Sequence, residues 1–185
     1  MGLPDFVITT IDRTVLPPLL LDTAKEHMRV DFSTDDPDIL QKIAAAISIY
    51  ENKTGQIINP TTADWSPVLN SEATSYVSPL QPISAFIATD VDDLVVTSQY
   101  ETRSASITSP VFMARKDGAV FPAGTAFELT LGYATEEAIP PDALMSILRI
   151  VGKLYEYRES VSVASLDAVP LWMDDLLVGA WVPRC

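Results

Sequence analysis

The residues that could do chemistry are few, and their spacing favours none of the common sites. His27 is the only histidine, and it follows Lys25 and Glu26 on a short predicted helix. Zinc sites and Ser-His catalysis need a histidine together with further ligands or a nucleophile, so this lone side chain gives them little support. We expect His27 to be a surface or hinge residue.

Two acidic clusters have the oxygen-rich composition that hard cations prefer. They are Asp35, Asp36 and Asp38, and Asp90, Asp92 and Asp93. Neither cluster has the spaced oxygen ligands, the glycine and the distant glutamate of a calcium loop. We therefore expect Asp36 to cap a helix and the second cluster to form a turn.

The other chemical signals are weaker. The pair Glu136 and Glu137 would need a pocket to act as acid and base. No glycine motif of the kind that cradles phosphate is present among the seven glycines. The sequence thus predicts no catalytic residue, no cofactor and no metal.

Composition predicts a soluble cytosolic protein. At 185 residues and 48% hydrophobic content, the chain can form one domain, or one domain with a large insert. Cys185 is the only cysteine, which excludes an intrachain disulfide and favours a reducing compartment. The N-terminal sequence lacks the basic and apolar regions of a secretory signal, and no apolar stretch approaches the roughly 20 residues that span a bilayer.

The net charge is strongly negative, with 25 acidic and 12 basic residues giving −13. Proteins that bind nucleic acid usually have the opposite sign, so this chain should not hold DNA, although it could surround DNA. Two interpretations remain open. The acidic residues either keep an assembling protein soluble or line a channel.

The elements that must position these residues begin with two helices of the same plan, at 35–55 and 139–160. Each has an acidic start with proline, an apolar stripe at helical spacing, and an end rich in tyrosine and charge. Gly55 should end the first helix in a left-handed conformation. Gly152 costs the second helix about 1 kcal/mol against alanine, so we expect a close helix crossing there.

Shorter helices and strands complete the prediction. Asp22 can cap a short helix, and another helix follows Pro170. Between the long helices, short runs rich in β-branched and aromatic residues predict five or six antiparallel strands. The predicted fold class is α+β, a helical platform of about four helices with an inserted antiparallel β-sandwich or half-barrel.

This organisation gives five segments. They are an extended N-terminal arm at 1–21, the first part of the helical platform at 22–56, a β insert at 57–135, the second part of the platform at 136–179, and a C-terminal tail at 180–185. The arm could add a strand to a sheet, in its own chain or in a neighbouring subunit. Tryptophan and arginine are frequent at interface hot spots, and they mark the C-terminal region as a candidate partner interface. Its residues are Trp172, Trp181, Val182, Pro183 and Arg184.

Four stretches give the chain a recognisable order of elements. They are LLLDTAKEHMRVD, ILQKIAAAISIYENKTGQII, LTLGYATEEAIPPDALMSILRIVGKLYEYRES and VPLWMDDLLVGAWVPR. In this order, the chain resembles the head–tail connector (adaptor) proteins of tailed bacteriophages and gene transfer agents. The matching positions in the first two stretches are Ala24, Lys25, Met28, Arg29, Asp31, Ala46, Tyr50, Glu51, Thr54 and Gly55.

The resemblance implies a structural virion protein without enzymatic activity. Such adaptors form rings, usually of about twelve copies, below the portal of the capsid. They join the portal protein to the stopper or tail-terminator protein, and DNA passes through without sequence-specific binding. The C-terminal segment commonly reaches toward the portal. The implied location is the virion neck, after synthesis in the host cytoplasm, with no membrane partner.

Two alternatives are kept. The first is a stopper or tail-completion protein of the same neck. The second is a small hydrolase or carbohydrate-binding domain that uses the β insert. A pocket of paired carboxylates and aromatics would support the second, but the aromatic residues are scattered along the strands and are more simply core. These are Tyr76, Phe86, Tyr100 and Phe112.

Overall fold

The computed structural model describes residues 6–13, 19–67, 74–78, 80–104 and 111–156, and these form three α-helices and seven β-strands. The helices are α1 (Leu19–Met28), α2 (Asp36–Thr54) and α3 (Pro141–Glu156). The strands are β1 (Phe6–Arg13), β2 (Thr61–Pro67), β3 (Ser75–Val77), β4 (Ile83–Thr89), β5 (Tyr100–Arg103), β6 (Phe112–Arg115) and β7 (Ala126–Leu131). The predicted α+β class is found. The described part of the chain contains three helices rather than about four, and the helix predicted after Pro170 lies outside it.

The helices pack around one apolar core. The stripe of α2 predicted from helical spacing is buried at Ile39, Ile43 and Ile47, where it meets Ile147 and Val151 of α3. These five side chains are all 2% exposed or less. A regular stripe on each helix is what allows two distant segments of the sequence to share this core.

Helix boundaries differ from the prediction at two N-termini. The first helix begins at Leu19 rather than near Asp22, because Leu20 is buried in the core and extends the apolar face by a turn. The residue before α2 is Asp35 rather than Asp36, and its side chain makes no capping hydrogen bond. At the other end, Gly55 is left-handed with φ of 74°, as predicted.

The strands form two antiparallel sheets. One has the order β1-β2-β7-β4 and the other β3-β6-β5. Strand β1 pairs with β2 of its own chain, from Phe6 opposite Pro67 to Arg13 opposite Thr61. For this part of the N-terminal arm, the intramolecular alternative is therefore the one observed.

Side chains of both sheets share a second core, as expected of a sandwich. Its aromatic rings lie with centroids between 4.9 and 6.3 Å apart. Trp65 and Phe127 come from the four-stranded sheet, and Tyr76 and Tyr100 from the three-stranded one. Strand β7 alternates in burial, since Phe127, Leu129 and Leu131 are buried and the residues between them are exposed.

The two cores meet at the short segment between α2 and β2. Ile57 belongs to the core of the sheets, and its neighbour Ile58 belongs to the core of the helices. Gly132, just after β7, has φ of 80°, and a Cβ atom there would lie 2.2 Å from the carbonyl oxygen of Asn59. Close backbone approach at Gly132 thus brings the end of β7 against this segment.

Candidate functional site

The side chains considered for metal or acid/base chemistry do not form a reactive site in the described structure. His27 is exposed on α1. No group of three or more histidine, cysteine, aspartate or glutamate residues that could hold a metal is found among the described residues. Glu136 instead accepts a hydrogen bond from the hydroxyl of Thr23 on α1. Glu137 is fully exposed, and its own backbone N–H and the Thr135 hydroxyl lower the pKa of its carboxyl.

The first acidic cluster joins the three helices. Asp36 Oδ1 lies 2.6 Å from Lys25 Nζ of α1. Asp35 Oδ2 accepts a hydrogen bond from the hydroxyl of Tyr155, near the end of α3, at 2.7 Å. Asp38 Oδ1 lies 2.5 Å from Lys42 Nζ one turn later. Each carboxylate therefore has a structural partner, and the cluster ties α1 and α3 to the start of α2.

The second acidic cluster forms a turn, as predicted. Asp90 Oδ1 accepts hydrogen bonds from the backbone N–H groups of Asp92, at 3.0 Å, and Leu94, at 2.9 Å. Asp93 adopts φ of 57°, a conformation that aspartate tolerates better than most residues. The turn connects β4 to the segment that leads into β5.

Residues that carry the family resemblance lie at the junction of the two cores. The buried carboxylate of Glu51 accepts a hydrogen bond from the backbone N–H of Ile58 at 2.9 Å. Thr54 donates its hydroxyl to the Tyr50 carbonyl and accepts the backbone N–H of Gln56. These residues close the α2–β2 connection, and Glu51 and Thr54 are buried there.

The shifted pKa of Tyr50 is explained by the burial of its side chain and does not require a catalytic role. Desolvation, with a smaller contribution from the negative charge of Asp142, raises the pKa of Tyr50 well above its ordinary value of 10.0. Burial and Asp142 also raise the pKa of Tyr133. Both tyrosines belong to or pack against the core of the helices. The buried Tyr50 and the partly buried Tyr133 therefore have a structural role here.

An exposed apolar surface at the end of β4 is the feature that the sequence analysis missed. We call Ile87, Val91, Leu94 and Val95 the β4 tip. Val91, Leu94 and Val95 are 73%, 62% and 71% exposed, and Ile87 is 46% exposed. The signal is present in the run VDDLVV, where apolar residues interrupt an acidic turn. Clustered exposed aliphatic residues are typical of interaction surfaces.

Smaller exposed apolar positions occur on the helical platform. They are Phe32, Leu40 and Met145. Gly152 on α3 has open space where its Cβ would be, with no described atom within 4 Å. The close helix crossing predicted at Gly152 is therefore absent from the part of the chain that the structure describes.

The predicted interface at the C-terminus lies outside the described residues. This applies to Trp172, Trp181, Val182, Pro183 and Arg184. The strand aromatics, by contrast, are described: Tyr76 and Tyr100 are buried, and Phe86 packs against the same core. These three aromatics are thus not displayed in an open binding groove. No helix among the described ranges is long and apolar enough to cross a membrane.

Comparison with solved structures shows a shared fold over nearly the whole chain. A chain in the neck of a native gene transfer agent (GTA) particle, computed with C12 symmetry, is similar with a TM-score of 0.70 and 17% identity. A chain in the neck of an empty GTA particle, computed with C6 symmetry, is similar with a TM-score of 0.68 and 16% identity. Each match covers 96% of this chain and 97% of the other.

A further chain, in the virion of a native GTA particle, has a TM-score of 0.68 and 17% identity with the same coverage. No protein-family model and no curated protein matches the sequence. At this level of identity, the likeness is one of fold.

Proposed function

We propose that this protein is a structural component of a virion neck, a head–tail adaptor that forms a ring between the portal and the stopper or tail. The observation that carries the proposal is the fold shared over 96% of the chain with chains of GTA necks. The order of motifs in the sequence supports the same assignment, because it depends on residue types and spacing and not on the fold comparison.

The positions of the motif residues support a structural rather than a catalytic role. Glu51 and Gly55 close the junction of the two cores, and Asp35 and Tyr155 tie α3 to α2. A structural protein of the virion neck needs such connections between its elements to keep its shape, and it needs no reactive cleft. The protein is thus proposed to be non-enzymatic and to act without cofactor or metal.

Ring formation follows from the proposed location. The similar necks were computed with C6 and C12 symmetry, and a cyclic ring of twelve copies is consistent with both. The DNA would pass through the ring, and the net charge of −13 suits a passage that must not retain phosphates. The protein would be made in the host cytoplasm and found in the finished virion.

Imaging of the purified chain with the portal protein of the same particle tests this function. We expect a ring on the portal, seen by negative-stain or cryo-electron microscopy. A ring that binds only beneath an existing adaptor would favour the alternative of a stopper or tail-completion protein. A chain found in the particle away from the neck would contradict both assignments.

The C-terminal residues allow a second test, which concerns the surface that contacts a partner. We propose that Trp181 and Arg184, with Trp172, Val182 and Pro183, contact the portal or a neighbouring subunit. Deleting residues 180–185 should leave the circular dichroism spectrum and the melting temperature unchanged but abolish sedimentation with the portal. Portal binding equal to that of the full chain would contradict this role for the tail.

A further inference from the structure

The β4 tip has a fixed shape before any partner binds. Two backbone N–H groups donate to the Asp90 carboxylate, and the Asp90 N–H donates to the Leu94 carbonyl at 3.1 Å. Val91 packs over Gly124, where a Cβ atom would lie 3.0 Å from the Val91 Cβ. Because the turn is already ordered, little conformational freedom is lost when its apolar side chains are covered.

The charge around the tip limits what can cover it. Residues 87–95 contain Asp90, Asp92 and Asp93 and no basic residue. Each copy carries a net charge of −13. Copies brought side by side repel one another unless the contact is apolar and places positive charge near these carboxylates. A second copy must therefore offer a surface that is both apolar and basic.

A closed ring also requires two different patches on each chain, because cyclic contacts beyond a dimer are head-to-tail. The described residues offer two exposed arginines that form no ion pair there, Arg29 and Arg149. Each has an exposed apolar neighbour, Phe32 near Arg29 and Met145 one turn before Arg149.

The surface around Arg149 is the better match. Met145, Arg149 and Gly152 follow one another at helical spacing along α3, and we call them the α3 face. No atom of the described residues lies within 4 Å of a Cβ built at Gly152, so the described part of the chain leaves room there for a side chain from another molecule. This contact would also account for a glycine that packing within the described chain does not require.

We propose that the β4 tip of one copy docks on the α3 face of the next copy in the ring. Val91 and Leu94 cover Met145 and the space at Gly152, and Asp92 pairs with Arg149. The inference rests on the proposed function for the existence of the ring, and it adds which surfaces close it.

Cysteine cross-linking tests the contact directly. In a Cys185→Ser background, the pair Val91→Cys and Met145→Cys should give a ladder of disulfide-linked multimers under mild oxidation of the full-length chain assembled on the portal. A disulfide needs the two Cα atoms within about 7 Å, so only a true neighbour reacts. The control pairs combine Val91→Cys with Phe32→Cys, or with Ser48→Cys on the exposed side of α2.

The outcomes separate the inference from the function on which it rests. Rings with a ladder only for the Met145 pair support the contact. Rings with a ladder for the Phe32 pair, or with no ladder at all, overturn the contact and leave the adaptor function intact. If the unmodified chain forms no ring on the portal, the proposed function fails, and the inference fails with it.

Charge reversal provides a second measurement that does not depend on disulfide chemistry. Asp92→Lys and Arg149→Glu should each lower the apparent affinity between copies by at least about ten-fold, and the double variant should recover most of that loss. Both side chains are exposed, so the melting temperature of each variant should stay at the wild-type value. Wild-type ring assembly by both single variants would overturn the pairing.

Discussion

At the scale of single residues, backbone geometry matters more than reactive groups. Gly132 and Gly118 both have positive φ, 80° and 70°, so both positions favour glycine. They differ in their surroundings, since a Cβ at Gly132 would meet the Asn59 carbonyl at 2.2 Å, whereas one at Gly118 would meet no atom of the described residues within 4 Å. Comparing substitutions at the two glycines therefore separates the effect of the close approach between β7 and the α2–β2 connection from the effect of backbone strain.

Gly132→Ala is expected to lower the free energy of unfolding by about 3 kcal/mol or more, because a left-handed alanine is strained and its Cβ displaces backbone. Gly118→Ala, the matched control, should cost only about 1 kcal/mol, the strain alone. Urea unfolding followed by circular dichroism measures both. Equal losses for the two variants would contradict the close approach at Gly132.

Tyr50 gives a prediction about pH. Its folded-state pKa is raised above the ordinary value of 10.0, so the folded protein keeps a proton that the unfolded chain releases. Stability from this group is complete below pH 10 and is lost as the pH rises through and above that value. The hydroxyl also donates to Gln56 Oε1 at 3.1 Å.

In Tyr50→Phe, the alkaline fall in unfolding free energy between pH 9 and 11 should be shallower than in the wild type. At pH 7, the variant should lose about 1 kcal/mol with the hydrogen bond. Chemical denaturation at a series of pH values gives both quantities. A variant with the same alkaline slope as the wild type would show that folding does not raise the pKa of Tyr50.

At the scale of elements, apolar periodicity was the reliable signal. The stripes of α2 and α3 and the alternation of β7 follow directly from residue spacing. Strand β2 gives only a weak signal in the sequence, although its buried Ala63 and Trp65 alternate with exposed Thr62 and Asp64. Its small and polar residues kept the hydrophobic contrast low, and only its central place between β1 and β7 makes it a core strand.

The candidate surfaces were harder to predict, for a physical reason. Exposure of Val91 and Leu94 depends on what the folded chain leaves uncovered, and a local pattern of apolar residues does not contain that information. The role of Asp35 depends on Tyr155, which is distant in sequence and close only after α3 packs on α2. Residue types and spacing are local properties that can be judged in the sequence, whereas exposed surfaces require the fold.

The link between the helical and β elements can be tested at Glu51. Glu51→Ala removes the acceptor of the Ile58 N–H in a buried position, and we expect a loss of about 1 to 3 kcal/mol in unfolding free energy. Glu51→Gln, the control, keeps an accepting oxygen and should lose less. Thermal and urea unfolding report both, and equal stability of Glu51→Ala and the wild type would contradict a structural role for this hydrogen bond.

At the scale of the whole molecule, the net charge bears on the proposed passage of DNA. A net charge of −13 opposes any lasting contact with phosphate. We expect no retention of duplex DNA by the purified chain in about 50 mM salt, where electrostatic binding is strongest. Gel-shift measurements at micromolar protein check this, and a shift that disappears with added salt would contradict a non-retentive passage.

Ile57 and Ile58 place consecutive side chains in different cores. Adding or deleting one residue between Gly55 and Thr61 would change the direction of these side chains. Each isoleucine would then point toward the other core. The number of residues in this segment is therefore constrained by both cores at once. Related chains should accept longer or shorter hairpin turns at the periphery while keeping the count of residues here unchanged.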